Sequence, residues 1–515
     1  MKLLFKRLVK KSRLYVISIR ELIGVFILAS LVAALLGGSA HAQARVQSLP
    51  TAGVDGNRNQ LPEIGVVASD ALTIDKEKLI GDAIMRQLRG QAPLVLDPVL
   101  QEYVQGIGNR LVIQADNTKF PFTFFMINNP VINAFAFYGG HIGIHTGLIA
   151  QASNESELAS VLAHEVAHVT QRHLARRVQS QQKSGPLQIA SILGGILVAL
   201  ADPEAGMAVV QAGIAGSQQA SINFTRNNEE EADAIGIDIL YRAGFDPQGA
   251  PGFFGKLAAQ RRGQSNQLAF LQTHPLPEDR VAQTITRARS YGPRTVAPSL
   301  DFYLAKARIL ARYMGTNDRN ISIFQNQLNS GSIAERKAAR YGLAISLFEN
   351  EQYNDSLEIM QELLKSDPEN LFYLDLLTDI YIQQQRPQLA VSMLSPHWQL
   401  RPQNHVLTLN LANAYIYTQN YEPAVEMLRD LLLVDNENFL AYQLLNDAYN
   451  RNQQKKEAHM AQAEIYALIS AYPLAIDELQ FAYNQVSADT LEKQRIKGRI
   501  QQLRQAQEAM MRLRI

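Results

Sequence analysis

Residues 163–173 read AHEVAHVTQRH, three histidines and a glutamate in a short stretch of a chain with only ten histidines among 515 residues. On an α-helix, positions four apart lie one turn apart on one face, so His164 and His168 can direct imidazole nitrogens at a single point. Glu165, beside the first of them, can reach a metal-bound water rather than the metal itself. H-E-x-x-H fixes only three residues, however, and an ordinary polar helix face can carry it. His173, five positions beyond His168, is expected to point off the metal-facing side and not to be a ligand.

The surrounding segment NESELASVLAHEVAHVTQRHLARRV (154–178) reads as one helix, with Asn154 as its N-cap and Glu157 three residues later. A second helix changes the weight of the motif. INFTRNNEEEADAIGIDILYRA (222–243) ends before Gly244 and places Glu229 and Asp233 one turn apart. Glu229 can bind a metal while Asp233 receives the free N–H of a ligand histidine, the arrangement by which zinc sites orient their imidazoles. Glu230 and Glu231 are expected to be solvated helix charges. A metzincin would need a glycine three residues and a histidine six residues beyond its second ligand; Gln171 and Leu174 stand there instead.

Before these helices, FPFTFFMINNPVINAFAFYGGHIGIHTGLI (120–149) is aromatic and β-branched, with turn signals at Asn128-Asn129-Pro130 and Gly139-Gly140, and predicts a small sheet of two or three strands. Two amphipathic helices are predicted further upstream, at 75–90 and 97–115. Between the two metal-site helices, residues 186–220 are apolar and rich in Gly and Ala. They read as a buried or partly mobile helical hairpin, or as a segment inserting into a membrane surface.

The C-terminal half repeats itself. DPEN at 367–370, RPQN at 401–404 and DNEN at 435–438 are 34 residues apart, and Tyr381, Tyr415 and Tyr449 keep that period, as do Ser356, Ala390 and Ala424. A 34-residue period with small residues where paired helices touch is similar to the tetratricopeptide repeat, whose copies stack into a solenoid because each pair leaves an apolar face that only a neighbour can bury. The clear copies cover about 335–450, with degenerate ones expected at 300–334 and 450–487; the basic helix at 488–515 would cap the array.

At the N-terminus, seven basic residues precede the apolar run at 22–36, and small residues follow at Ala40 and Ala42. This reads as a secretory signal over 1–42, too short for a membrane span, with an extended lead-in at 43–74. Its seven basic and one acidic residues account for +6, so the formal charge of +1 becomes −5 without them, which argues against a nucleic-acid partner. With no cysteine, neither a disulfide nor a lipid-attachment site is available.

Together, H-E-x-x-H at 164–168, E-x-x-A-D at 229–233, NAFAFYGGHIGIHTGLI at 133–149 and THPLPEDR at 273–280 resemble the zinc metallopeptidases related to the CAAX prenyl proteases. Combined with the signal and the repeats, the chain resembles the periplasmic members of that family that serve outer-membrane β-barrel assembly. The resemblance implies a mainly α protein: a zincin-like α+β peptidase domain with a small sheet at 75–300, then an all-α tetratricopeptide solenoid at 301–487. It implies one zinc ion on His164, His168 and Glu229, with Glu165 as general base and Asp233 supporting catalysis. Asn133, Ala134, Phe135 and Ala136 match an edge strand that binds substrate backbone. His274 is left with three readings: contact with bound substrate, a fourth, inhibitory zinc ligand, or a plain loop residue. Arg280 would anchor that loop or a carboxylate, or bear on bound substrate. The implied clients are unfolded or misassembled outer-membrane proteins, and the implied partner of the repeats is the β-barrel assembly machinery, with possible peripheral membrane contact through 186–220. A competing reading makes the chain chiefly a chaperone or scaffold with minor or gated proteolysis.

Overall fold

A computed structural model describes residues 72–181, 218–261, 270–271, 274–275, 277–292, 294–487 and 490–513. The signal segment at 1–42, the lead-in up to residue 71 and the apolar stretch at 186–217 lie outside the described residues. Helices α1 (Ile74–Gln91) and α2 (Pro98–Val112) stand where the apolar periodicity predicts them. Thr73 caps α1 by accepting from the Lys76 N–H at 3.3 Å. Asp97 caps α2 through the Leu100 N–H at 3.3 Å. Pro98 takes the first helical position, where its missing N–H costs nothing.

The aromatic segment forms three strands, β1 (Thr123–Ile127), β2 (Ala134–Phe137) and β3 (His141–His145), in the order β1-β3-β2. β1 runs parallel to β3, with Thr123 opposite His141, and β2 runs antiparallel to it, with Ala134 opposite Ile144. β2 therefore lies at an edge. The β2–β3 turn needs its glycines: Gly139 and Gly140 have φ of 79° and 85°, and a Cβ on Gly140 would stand 2.4 Å from the Pro121 carbonyl oxygen.

After a short helix α3 (Thr146–Gln151) comes α4 (Glu155–Thr170), which carries H-E-x-x-H. The Asn154 side chain accepts from the Glu157 N–H at 3.0 Å as its sequence predicts, but the Glu157 carboxylate goes to the Ser153 N–H at 2.6 Å and to Lys256 rather than back to the cap. α4 is buried on nearly all sides, as an all-round apolar helix must be. The single helix expected over 154–178 is broken at residues 171–172. Arg172 adopts the left-handed region at φ 52°, and α5 (His173–Gln181) starts in a new direction. That conformation costs an L side chain roughly 1–2 kcal/mol. A buried clamp holds it: Arg172 Nε donates to Glu77 Oε1 at 2.9 Å and Nη2 donates to the Leu72 carbonyl at 2.7 Å.

Helix α6 (Gln218–Arg242) is followed by Gly244 at φ 90°, and α7 (Gly249–Arg261) and α8 (Glu278–Ser290) complete this half. Six helical pairs follow. They are α9 (Leu300–Tyr313) with α10 (Asn317–Gln327), α11 (Ile333–Glu349) with α12 (Tyr353–Ser366), α13 (Leu371–Gln383) with α14 (Pro387–Leu400), α15 (His405–Tyr417) with α16 (Tyr421–Val434), α17 (Phe439–Arg451) with α18 (Lys455–Leu468), and α19 (Tyr472–Asn484) with α20 (Leu491–Leu513). The repeated tetrapeptide has a mechanical meaning. Its last residue, Asn370, Asn404 or Asn438, caps the next helix, accepting from the N–H of Phe372, Leu407 or Ala441 at 3.1, 2.9 and 3.0 Å. Ser356, Ala390 and Ala424 are fully buried where paired helices meet. The turn inside each of the four middle pairs holds a left-handed residue at the same 34-residue period: Glu351, Gln385, Gln419 and Gln453, at φ of 64°, 59°, 60° and 58°. α20 lays Ile496, Ile500 and Leu503 against Leu479 and Ala482 at the end of the array.

The main core does not stop at residue 300. One contiguous apolar cluster runs from Val95 through the sheet, α3, α4, α6 and α7 into α9, α11, α12, α13 and Val406. Inside it lies a buried ionic knot. Arg308 donates to Asp97 at 2.7 Å, to Asp375 at 2.5 Å and to the Tyr341 hydroxyl at 2.7 Å, joining the cap of α2 to α9 and α13. Farther along, Arg86 and Arg89 of α1 pair with Glu437 at 2.9 and 3.0 Å. Among the described residues no helix is long and apolar enough to cross a membrane.

Candidate metal centre

α4 supplies His164, Glu165 and His168; α6, packed across it, supplies Glu229 and Asp233. Small residues on α6 permit the approach. Ala232 is fully buried, and a Cβ on Gly236 would lie 3.1 Å from both the Cα and the N of His164, so the helix backbones meet almost directly. His274, in the segment before α8, joins from a third direction. Its ring stacks on Phe270 at 4.7 Å between centroids, and its N–H donates to the Phe270 carbonyl at 2.8 Å.

Four donor groups, from His164, His168, Glu229 and His274, come within 4.8 Å of one another. His164 Nε2 lies 3.0 Å from His168 Nε2 and 3.4 Å from Glu229 Oε2, and His168 Nε2 lies 3.4 Å from Glu229 Oε1. His274 Nδ1 stands 3.3 Å from His164 Nε2 and 3.0 Å from Glu229 Oε2. A zinc ion bonds N and O donors at about 2.0–2.2 Å, so donors at the corners of a tetrahedron stand about 3.3–3.6 Å apart. The spacing, the donor types and the burial all fit one small divalent cation.

The electrostatics agree. Burial works against charge on every member, yet the Asp233 and Glu229 carboxylates push His164 up to about 10. Burial holds His168 well below its ordinary value, in the neutral form that offers a lone pair. Glu229 and Asp233 stay ionised against burial: His274, His168 and His164 hold the first down, and His164 and Arg280 the second. Buried ionised carboxylates beside a neutral imidazole make a charge set that favours a cation.

Around the donors, each partner is specific. His164 Nδ1 faces Asp233 Oδ1 at 2.9 Å, which leaves Nε2 for the donor cluster. Arg280, 2 % exposed, donates to both Asp233 oxygens at 2.8 Å, to the Pro275 carbonyl at 2.5 Å, and lies 3.0 Å from Glu229 Oε2. It thus anchors both the His274 loop and a carboxylate, and with its donors engaged it does not project toward a substrate. Glu165, also buried, has its carboxyl raised by burial, opposed by the neighbouring imidazoles and by a hydrogen bond from the Ala136 backbone on edge strand β2. Its Oε1 is 3.4 Å from His274 Nε2. Asn133 precedes β2 with its side-chain oxygen buried and unpaired, and Ala134, Phe135 and Ala136 form β2 itself. His141 and His145 lie in β3, outside the cluster, with His141 paired to Asp82 at 3.3 Å.

Two expectations need correction. Glu230 is exposed as predicted, but Glu231 is no free surface charge: it pairs with Arg176 at 2.8 Å and His173 at 3.2 Å. His173 is buried and, as expected, not among the donors, but it does not point away from the site: it turns back to put Nδ1 2.8 Å from His168 Nδ1. The Arg172 turn makes this possible, and nothing in the local sequence signals that turn.

The chain resembles known proteins over most of its length. The family model for Peptidase family M48 matches residues 98–288, and a tetratricopeptide-repeat model matches 381–448. The chain is 43% identical over 448 residues to the beta-barrel assembly-enhancing protease of Escherichia coli (strain K12), covering 87% of this chain and 92% of that one. It is 40% identical over 474 residues to the protein of the same name from Yersinia pestis, covering 92% and 96%. Mitochondrial metalloendopeptidase OMA1 of Schizosaccharomyces pombe is 27% identical over 179 residues, covering 35% of this chain and 50% of that protein.

Proposed function

Because the chain belongs to the beta-barrel assembly-enhancing proteases of Peptidase family M48, we propose that it is a zinc endopeptidase of the periplasm, acting at the outer-membrane side, that degrades misfolded or stalled β-barrel proteins and assists their assembly through its repeats. The observation that carries the reading is the convergence of His164, His168 and Glu229 at tetrahedral spacing with Glu165 and the β2 edge alongside. Among the metals that take nitrogen and carboxylate donors in this geometry, zinc fits a tetrahedral site best. When bound, zinc supplies Lewis acidity that acidifies a water and polarises the scissile carbonyl.

The chain's own residues do the rest. Asp233, fixed by Arg280, holds His164 in the tautomer that presents Nε2 to the ion. Glu165 takes the proton of the attacking water and later passes it to the leaving amine, a task that a carboxyl raised by burial performs well near neutral pH. β2, at a sheet edge, can add an extended substrate strand by backbone hydrogen bonding, which would select unfolded segments over a particular side chain. His274 Nδ1, beside His164 Nε2 and Glu229 Oε2, could serve as a fourth ligand; if it did, proteolysis would require the His274 segment to withdraw.

The repeats favour a second reading, in which binding to the assembly machinery is the main role and cleavage is occasional. One variant separates the two. Glu165→Gln should retain zinc and fold but lose cleavage of an unfolded outer-membrane protein. If stalled barrel proteins then accumulate, degradation is the main role; if neither their level nor assembly enhancement changes, the scaffold reading stands. Cleavage by the purified variant would refute the catalytic assignment.

A further inference from the structure

The two ligand imidazoles on α4 are held by different devices. His164 meets a carboxylate directly, Asp233 at 2.9 Å. Among the described residues no carboxylate lies against the Nδ1 of His168; instead that nitrogen lies 2.8 Å from Nδ1 of His173, whose Nε2 lies 3.2 Å from Glu231 Oε2. Glu231 is in turn fixed by Arg176, which donates to it at 2.8 Å and to Asn228 at 3.0 Å. Only one set of protons satisfies this chain. His168 must keep Nε2 bare for the metal, so Nδ1 carries the hydrogen and donates to His173 Nδ1. His173 must then carry its own hydrogen on Nε2 and donate it to Glu231.

We propose that His173 is a positioning residue of the metal centre, an imidazole that relays the Glu231 carboxylate to His168 and so fixes that ligand's ring and tautomer. The fold is built to place it. In an unbroken helix a residue five positions on lies well around the axis from His168. The left-handed Arg172, clamped by Glu77 and the Leu72 carbonyl, turns the chain so that α5 begins beneath the ligand. His173 is 4 % exposed, and its ring sits edge-on to that of His168, 4.8 Å between centroids.

The proposal rests on the metallopeptidase reading only for the identity of the ligands, and metal binding tests it without catalysis. Zinc affinity of the full chain is measured by competition with a chromogenic chelator, and the site is also read from the visible spectrum of the cobalt-substituted protein. Leucine and asparagine share the same branched heavy-atom skeleton, but Asn keeps an acceptor at the place of Nδ1. His173→Leu should lose zinc affinity 10–100-fold and shift the cobalt bands, whereas His173→Asn, which keeps the acceptor for His168 but falls short of Glu231, should lose clearly less. Equal affinity in the two variants overturns the proposal. Should His173→Leu not fold, Glu231→Ala at its partly exposed site decides: weakened zinc binding supports the relay, and unchanged binding overturns it. If the wild-type chain itself binds no zinc, the ligand assignment fails rather than the relay.

Discussion

Replacing Arg308 with methionine tests whether the zinc-site half and the repeats share one stability. The substitution conserves most of the volume but removes three buried bonds, to Asp97, Asp375 and Tyr341. Deleting one partner of a buried ion pair typically costs about 3–5 kcal/mol, because a charge is left without compensation. Here each stranded carboxylate keeps a weaker partner: Asp97 still has Arg312 at 3.5 Å and its capping bond to Leu100, and Asp375 still accepts from Asn410 at 3.0 Å. The expected loss is therefore at the low end, about 3 kcal/mol, against a stability of about 5–15 kcal/mol for a typical domain. Two probes can follow it. Trp398, the one tryptophan, lies on α14 and donates to Thr408, so its fluorescence reports the repeats; zinc release reports the other half. In urea both transitions of Arg308→Met should move to lower midpoint together, and adding Asp375→Asn should recover part of the loss. A loss below about 1 kcal/mol, or a shift of the tryptophan transition alone, would show that the knot does not bind the halves into one unit.

Three further outcomes are expected. Asp233→Asn should lower zinc affinity 10–100-fold, measured by chelator competition, because the direct partner of His164 is lost. Gly236→Val should loosen zinc as well as destabilise the fold by about 1–3 kcal/mol, since its Cβ would press on the His164 backbone, which cannot yield; unchanged affinity would mean that α4 and α6 tolerate separation. Burial raises the Glu437 carboxyl, but Arg89 and Arg86 outweigh it and the folded value lies below 4.5. A depressed carboxylate stabilises the fold above its unfolded value and loses that contribution as pH falls through the folded one. Protection factors of the α1 amides, taken relative to the intrinsic exchange rate at each pH, should accordingly fall on acidification below about pH 4.5 in wild type, and much less so in Glu437→Gln.

What could be read from sequence was whatever lies within one helix or one repeat. The spacing of His164 and His168 follows from helix pitch, and Glu229 with Asp233 from the same rule on a second helix, so three of the four donors could be named before any coordinates, while His274 kept three readings. The Asn at the end of each tetrapeptide was visible as a period, although its capping role appeared only with the hydrogen bonds. Contacts decided at long range were not legible. The break at Arg172 depends on Glu77, 95 positions upstream. That break turned His173 from a residue aimed away from the metal into a neighbour of His168, and it gave Glu231 a buried partner. Likewise, amphipathic periodicity says that α9 buries one face but not against what, so the core's continuation past residue 300 left no mark in the sequence.

The left-handed residues differ in what they contribute, and this sets where the protein has room to become more robust. Glu351, Gln385, Gln419 and Gln453 each hold an L side chain in a conformation that glycine adopts freely. Relaxing those four turns draws on a reserve of a few tenths to about 1 kcal/mol apiece, after allowing for the greater freedom of glycine in the unfolded chain. The same exchange at Arg172 would relieve the backbone and discard the clamp that aims His173. A thermally hardened version of this chain is thus available through its repeats but not through the turn beneath its metal site.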